Sequence, residues 1–130
     1  MIRSLYISYD GATDPIGQSQ VIPYLKGLVK KGIGITLLTF DKKEYLSNEK
    51  MLSSMNGEFK ESDIKWVWLR YHKKPPVIST FIDALNGIFT GILLIYKDRI
   101  NCIHARTYVA ALIGLILKKL FRLRFIFDMR

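Results

Sequence analysis

Five short apolar runs, separated by stretches with helical spacing, constrain this chain more than any other feature. The runs are residues 2–8 (IRSLYIS), 34–40 (GITLLTF), 64–70 (IKWVWLR), 100–104 (INCIH) and 123–128 (LRFIFD). Strands buried on both faces of a sheet read this way, because helices cover both sides. Alternation of such strands with helices predicts an α/β fold with an open parallel sheet of about five strands. Right-handed crossovers then give the strand order 3-2-1-4-5, with helices on both faces.

The intervening segments supply the helices. In the first, Val21, Ile22, Leu25, Leu28 and Val29 recur at three- and four-residue spacing, predicting a helix from Ser19 to Lys31. Pro23 confines its start to the first turn, and Gly32 is its stop. Residues 41–63 are polar, with one short helix expected at Asn48–Met55. The segment YHKKPPV reads as a loop. Residues 77–96 are long enough to cross a membrane and carry a single charge. Asp83, Asn86, Gly87, Thr90 and Gly91 form a polar and small stripe, however, opposite Phe81, Ile82, Leu85, Ile88, Phe89, Ile92 and Leu93. That pattern predicts an amphipathic helix lying on the sheet. A last helix spans Tyr108–Phe121, with Thr107 as its N-cap and Lys118–Lys119 complementing its C-terminal dipole.

Composition limits the function classes. A length of 130 residues fits one domain. Lys plus Arg is 20 and Asp plus Glu is 11, a formal charge of +9. Such a surplus suits phosphorylated ligands or an anionic membrane surface. The basic residues fall in short pairs rather than a run, and no ribonucleoprotein-type aromatic motif accompanies them, which argues against nucleic acid. Cys102 is the single cysteine, so no disulfide framework or cysteine metal cluster arises; no metal and no cofactor are expected. The N-terminus enters a strand at once, without a signal-peptide pattern, which predicts a cytoplasmic protein.

In an open parallel sheet, ligands bind beyond the carboxyl ends of the strands, where strand order reverses. That point lies between the first and fourth strands here. The strand ends and the following loop offer Asp10, His104, Arg106, Asp128 and Arg130 as candidate substrate-binding residues. Gly17 lies at the entrance of the first helix, where free backbone N–H groups and the helix dipole can meet an anion. Neither G-x-G-x-x-G nor the G-x-x-x-x-G-K-[ST] phosphate loop is present. No catalytic residue is identifiable.

The loop and helix DGATDPIGQSQVIPYLKGLVKKG resemble the opening of the family 4 nucleotide-sugar glycosyltransferases, a retaining group with the two-domain GT-B architecture. That family often has a Gly-Gly pair before the first helix; here Ile16 replaces the first glycine and Gly17 matches the second. The unit HARTYVAALIGLILKKLFRLRFIFDMR resembles the family more closely, although Arg130 stands where the family has an active-site histidine. The resemblance implies that residues 1–130 are a Rossmann-like, acceptor-side N-terminal domain. It implies a truncated protein, with the donor domain absent and the isolated chain inactive. The parent activity implied is transfer of a sugar from a nucleotide diphosphate sugar to a saccharide or lipid-linked acceptor, in bacterial surface polysaccharide synthesis. A location in the cytoplasm, peripheral on the inner membrane face, would follow. The competing reading is a non-catalytic flavodoxin-like or peripheral-membrane binding module, with Lys30, Lys31, Lys118 and Lys119 near anionic lipid.

Overall fold

A computed structural model describes residues 2–9, 11–13, 17–71 and 76–128; for residues 17, 19, 43, 44, 76, 77 and 128 it describes the backbone alone. The strands are β1 (Arg3–Ser8), β2 (Gly34–Asp41), β3 (Ile64–Arg70), β4 (Cys102–Arg106) and β5 (Arg124–Asp128). They form one sheet in the order β3-β2-β1-β4-β5, and every pair is parallel. The expected α/β class and strand order therefore hold, and the fold is Rossmann-like.

Side-chain alternation divides the core into two layers. Leu5 and Ile7 of β1 join Leu38, Phe40 and Ile103 on one face, while Tyr6 joins Ile35, Leu37 and Ile64 on the other. Leu5, Ile7, Leu37 and Leu38 are fully buried, and each such side chain stabilises the fold by about 1.5–3 kcal/mol. The second face carries α1 (Ile22–Lys30) and α3 (Glu49–Glu61), with α2 (Lys43–Leu46) a single turn between β2 and α3. The first face carries α4 (Pro76–Asp98) and α5 (Tyr108–Phe121).

Helix α1 begins later than Ser19, because a turn of π-helix, Gly17–Val21, precedes it. Pro23 has no N–H to donate to the carbonyl four residues earlier, so a regular α-helical ladder cannot run through this entrance. Gly32 does stop the helix. Its φ is 88°, Gly32 N donates to Val29 O and Ile33 N donates to Leu28 O, the paired bonds of a Schellman motif. Helix α3 is longer than expected: Asn48 caps it by accepting from Met51 N, and it continues to Glu61. Met55 and Phe59, four apart, bury against the sheet and carry it past Ser53, Ser54 and Gly57. Thr107 does not act as a side-chain cap.

The orientation of α4 departs in part from the expectation. Of the small and polar stripe, Asp83, Gly87 and Gly91 face inward and are buried, together with Ser79, Ala84, Leu94 and Ile95, while Asn86 is exposed; of the apolar side, Ile88 and Ile92 still pack against the core. Phe81, Phe89 and Leu93 are 65, 66 and 69% exposed. The cause is close packing. A Cβ on Gly87 would lie 2.7 Å from Ile113 Cδ1, and one on Gly91 would lie 2.6 Å from Leu117 Cδ1. The glycines let α5 approach closely, so the bulky residues point outward.

Candidate functional site

The register of the sheet places the site. Tyr6 lies opposite His104, Ser8 lies opposite both Thr39 and Arg106, and Arg106 lies opposite Asp128. Tyr6, Ser8, His104 and Arg106 share the face that carries α1, since side chains two apart point the same way. Arg106 ends β4 and is only 4% exposed. Its Nη2 donates to Gln20 Oε1 at 2.5 Å, joining the strand end to the π-helical turn. Buried guanidinium groups are rare unless bonded, so this turn and Arg106 position each other. His104 packs against the rings of Tyr6 (4.5 Å between centroids) and Tyr24 (5.6 Å).

An open trough of about 610 Å³ runs along the same face, beside α1 and over β4 and β5. Tyr24, Leu28, Cys102, His104, Arg124 and Ile126 are among its lining residues. No described helix covers β4 and β5 on this side, which leaves Ile126 about half exposed.

A buried latch holds the loop after β1. Asp41, the last residue of β2, is fully buried. Thr13 N donates to Asp41 Oδ1 at 2.9 Å, and Thr13 Oγ1 donates to the same oxygen at 2.8 Å. Thr39 Oγ1 donates to Asp41 Oδ2 at 2.6 Å and accepts from Trp66 Nε1 at 2.9 Å. A Cβ on Gly11 would lie 2.3 Å from Asp41 Oδ1, so the loop crosses the carboxylate where a larger residue would not fit. Gln18 Nε2 donates to Thr13 O at 3.0 Å, tying the π-helical turn to the latched loop.

On the opposite face, Tyr9 OH donates to Asp83 Oδ2 at 2.9 Å, and its ring packs on Phe40 and Tyr71. Burial, and then the bond to Asp83, raises the Tyr9 pKa well above the usual phenol value. The short link from β4 to α5 is strained. Thr107 has φ 75° and ψ 166°, a region that β-branched residues avoid, and its buried hydroxyl makes no hydrogen bond.

Of the sequence-predicted residues, the structure brings together His104, Arg106 and the backbone of the Gly17 turn. Asp128 ends β5 beside Arg106 in register, with its backbone alone described. Asp10 and Arg130 lie outside the described residues. Sequence reasoning missed the roles of Gln20, Thr13 and Asp41 and the Tyr9–Asp83 pair. A lone acid amid an apolar helix was the available signal for Asp83. Among the described residues, no group of His, Cys, Asp and Glu is placed to hold a metal ion. This face thus carries a buried guanidinium held by Gln20, and beside it His104 between the rings of Tyr6 and Tyr24.

No protein-family model and no curated protein matches the sequence. Solved structures do share the fold. A glycosyltransferase from Rickettsia africae ESF-5 is 14% identical with a TM-score of 0.61; the match covers 97% of this chain and 29% of that one. The glycotransferase of kitacinnamycin is 13% identical with a TM-score of 0.65, over 98% of this chain and 30% of that one. Acinetobacter baumannii MurG is 14% identical with a TM-score of 0.60, over 99% and 35%. The C-terminal domain of PF1911 hydrogenase from Pyrococcus furiosus is 14% identical with a TM-score of 0.66, over 98% and 90%. The chain thus spans about a third of the transferases it matches, and at these identities the likeness is one of fold.

Proposed function

We propose that this chain is the acceptor-side domain of a glycosyltransferase resembling the retaining family 4 enzymes. It would serve transfer of a sugar from a nucleotide diphosphate sugar to a saccharide or lipid-linked acceptor in surface polysaccharide synthesis, and it would need a donor-side domain to turn over. The carrying observation is the bond from Arg106 to Gln20. It fixes a cationic fork against the turn that opens α1, at the switch point between β1 and β4. The residues concerned lie in the two segments that resemble the family, and the fold is shared with parts of three transferases.

In this reading the backbone N–H of Gly17 approaches the diphosphate, and Arg106 supplies charge-assisted hydrogen bonds to phosphate or acceptor hydroxyls. The trough of about 610 Å³ on this face opens at the amino ends of β1, β4 and β5, where Ile2, Ser4, Cys102 and Arg124 line it, so it is not assigned to the acceptor. A flavodoxin-like module is disfavoured by the order β3-β2-β1-β4-β5, since flavodoxins use 2-1-3-4-5.

The test is an NMR titration of the chain with inorganic pyrophosphate, followed at backbone amides. The expected shifts are confined to the Gly17–Val21 turn and Arg106, and are lost in Arg106→Ala but kept in Lys42→Ala. Alike behaviour of the two variants would sink the site. In parallel, the chain is incubated with a panel of nucleotide sugars; release of nucleotide diphosphate above background would sink the fragment reading.

A further inference from the structure

The trough beside α1 is set apart from the Arg106 end of β4. Cys102 on its floor precedes Arg106 on the same strand by about 13 Å. Register divides the floor into two rows. Ser4, Cys102 and Arg124 lie side by side across β1, β4 and β5, and Tyr6, His104 and Ile126 form the next row, about 7 Å further along. The first row is polar. Ser4 is 5% exposed, and its hydroxyl makes no hydrogen bond among the described residues. Arg124 is exposed at the trough edge and has no ion pair among the described residues. The second row is aromatic and apolar. The His104 ring packs against Tyr6 and Tyr24. Tyr24 and Leu28, one turn apart on α1, form one wall, and Ile126 stands on the side of β5.

Charge and shape select the occupant. The residues lining the trough include no carboxylate. Ser4 and Arg124 flank Cys102, each one strand spacing of about 4.8 Å away. A hydroxyl and a guanidinium so placed suit one carboxylate, which the guanidinium takes with paired N–H bonds. A carboxylate set over Cys102 directs the rest of its ligand along the strands, toward His104 and Ile126. The space there is walled by rings and aliphatic side chains, and an aromatic body fills it with ring contacts. A sugar would leave its hydroxyls without partners against those walls. The volume of about 610 Å³ is within the usual range for a small-molecule site.

We propose that the trough binds an aromatic carboxylate, with the anion between Ser4 and Arg124 and the ring between Tyr24 and Ile126. This does not rest on the transferase reading. The test is titration of the chain with naphthoate, followed at backbone amides by NMR and by calorimetry. Shifts are expected at Ser4, Cys102, His104 and Arg124 and along Tyr24–Leu28, with a dissociation constant of about 1 mM or tighter for a ligand of this size. Arg124→Gln should weaken binding by about tenfold or more, through loss of the charge-assisted pair. Arg122→Gln removes the same charge outside the lining and should leave binding unchanged. Naphthylmethanol, the uncharged counterpart, should bind more weakly than the acid, and alike in the unsubstituted chain and in Arg124→Gln. Both arginines are solvent-exposed, and circular dichroism checks that the variants fold. Pyrophosphate should not compete with naphthoate, because the Arg106 turn lies elsewhere on the strand. Absence of saturable binding, shifts confined to another face of the chain, equal affinity in Arg124→Gln, or competition by pyrophosphate overturns the proposal.

Discussion

Replacing Asp41 by Ala should be the most damaging single change near the site. The carboxylate accepts from Thr13 N, Thr13 Oγ1 and Thr39 Oγ1, and it is fully buried. The two hydroxyls can turn toward other acceptors, so their loss costs roughly 1 kcal/mol each. The Thr13 N–H cannot turn, and stranding it costs about 1–3 kcal/mol. The expected total is about 3–5 kcal/mol, a large part of the 5–15 kcal/mol that holds an ordinary domain together. Asp41→Asn keeps one acceptor oxygen and should cost about half as much. Urea unfolding followed by tryptophan fluorescence reads both, and Trp66 reports locally through its bond to Thr39. Gly11→Ala gives a cross-check. Its Cβ would meet Asp41 Oδ1 at 2.3 Å, so its cost should fall when Asp41 is already Ala. If Asp41→Ala loses less than about 1 kcal/mol, or if the two costs simply add, the latch does not hold the loop as described.

Four further expectations test other parts of the structure. The Tyr9 pKa is raised in the folded state, so the native protein holds the phenol proton longer than the unfolded chain does. The stability this provides is fully present below the unfolded value of about 10 and is lost as pH rises beyond it, so Tyr9→Phe should flatten the alkaline stability loss in urea titrations; an unchanged slope would refute the assignment. Gly57→Ala should stabilise by up to about 1 kcal/mol, because nothing lies within 4 Å of its Cβ. Gly87→Leu should destabilise by about 1–3 kcal/mol or more through Ile113 and Phe40, and the opposite signs are checked by thermal melting. Thr107→Gly should raise the urea midpoint, since relief of about 1–3 kcal/mol of strain outweighs the added chain entropy of about 0.5–1 kcal/mol. A lower midpoint would mean that the Thr107 methyl packs better than its dihedrals suggest.

The sheet was legible because its strands are short apolar runs with helical spacing between them, and the order followed from handedness. Gly32 was legible because a helix stop needs φ above zero. The facing of α4 was not. Periodicity reports that a helix has two sides, but the volume that a glycine vacates decides which side is inside, and that depends on Ile113 and Leu117 far along the chain. His104 and Arg106 could be placed at a strand end from sequence alone. Their turning toward α1, and the bond to Gln20, depend on the register of β4 against β1. The Asp41 latch was hidden for a related reason: the carboxylate bonds a loop 28 residues earlier, and Thr39, which also bonds it, is held by a tryptophan on the next strand.

Strand β1 lies at the centre of the sheet, with β2 on one side and β4 on the other. Arg3–Ser8, which precedes the other four strands of this sheet in sequence, is therefore the one on which both halves assemble. The β2 side can close early, across a single short helix. The β4 side must wait for nearly a hundred more residues, as the pairing of Ser4 with Cys102 requires. Until then one edge of β1 stays open and apolar, which makes the nascent half-sheet the stage most exposed to mispairing with other chains. Deleting Arg3–Ser8 would leave β2–β3 and β4–β5 as two ribbons with no strand to join them.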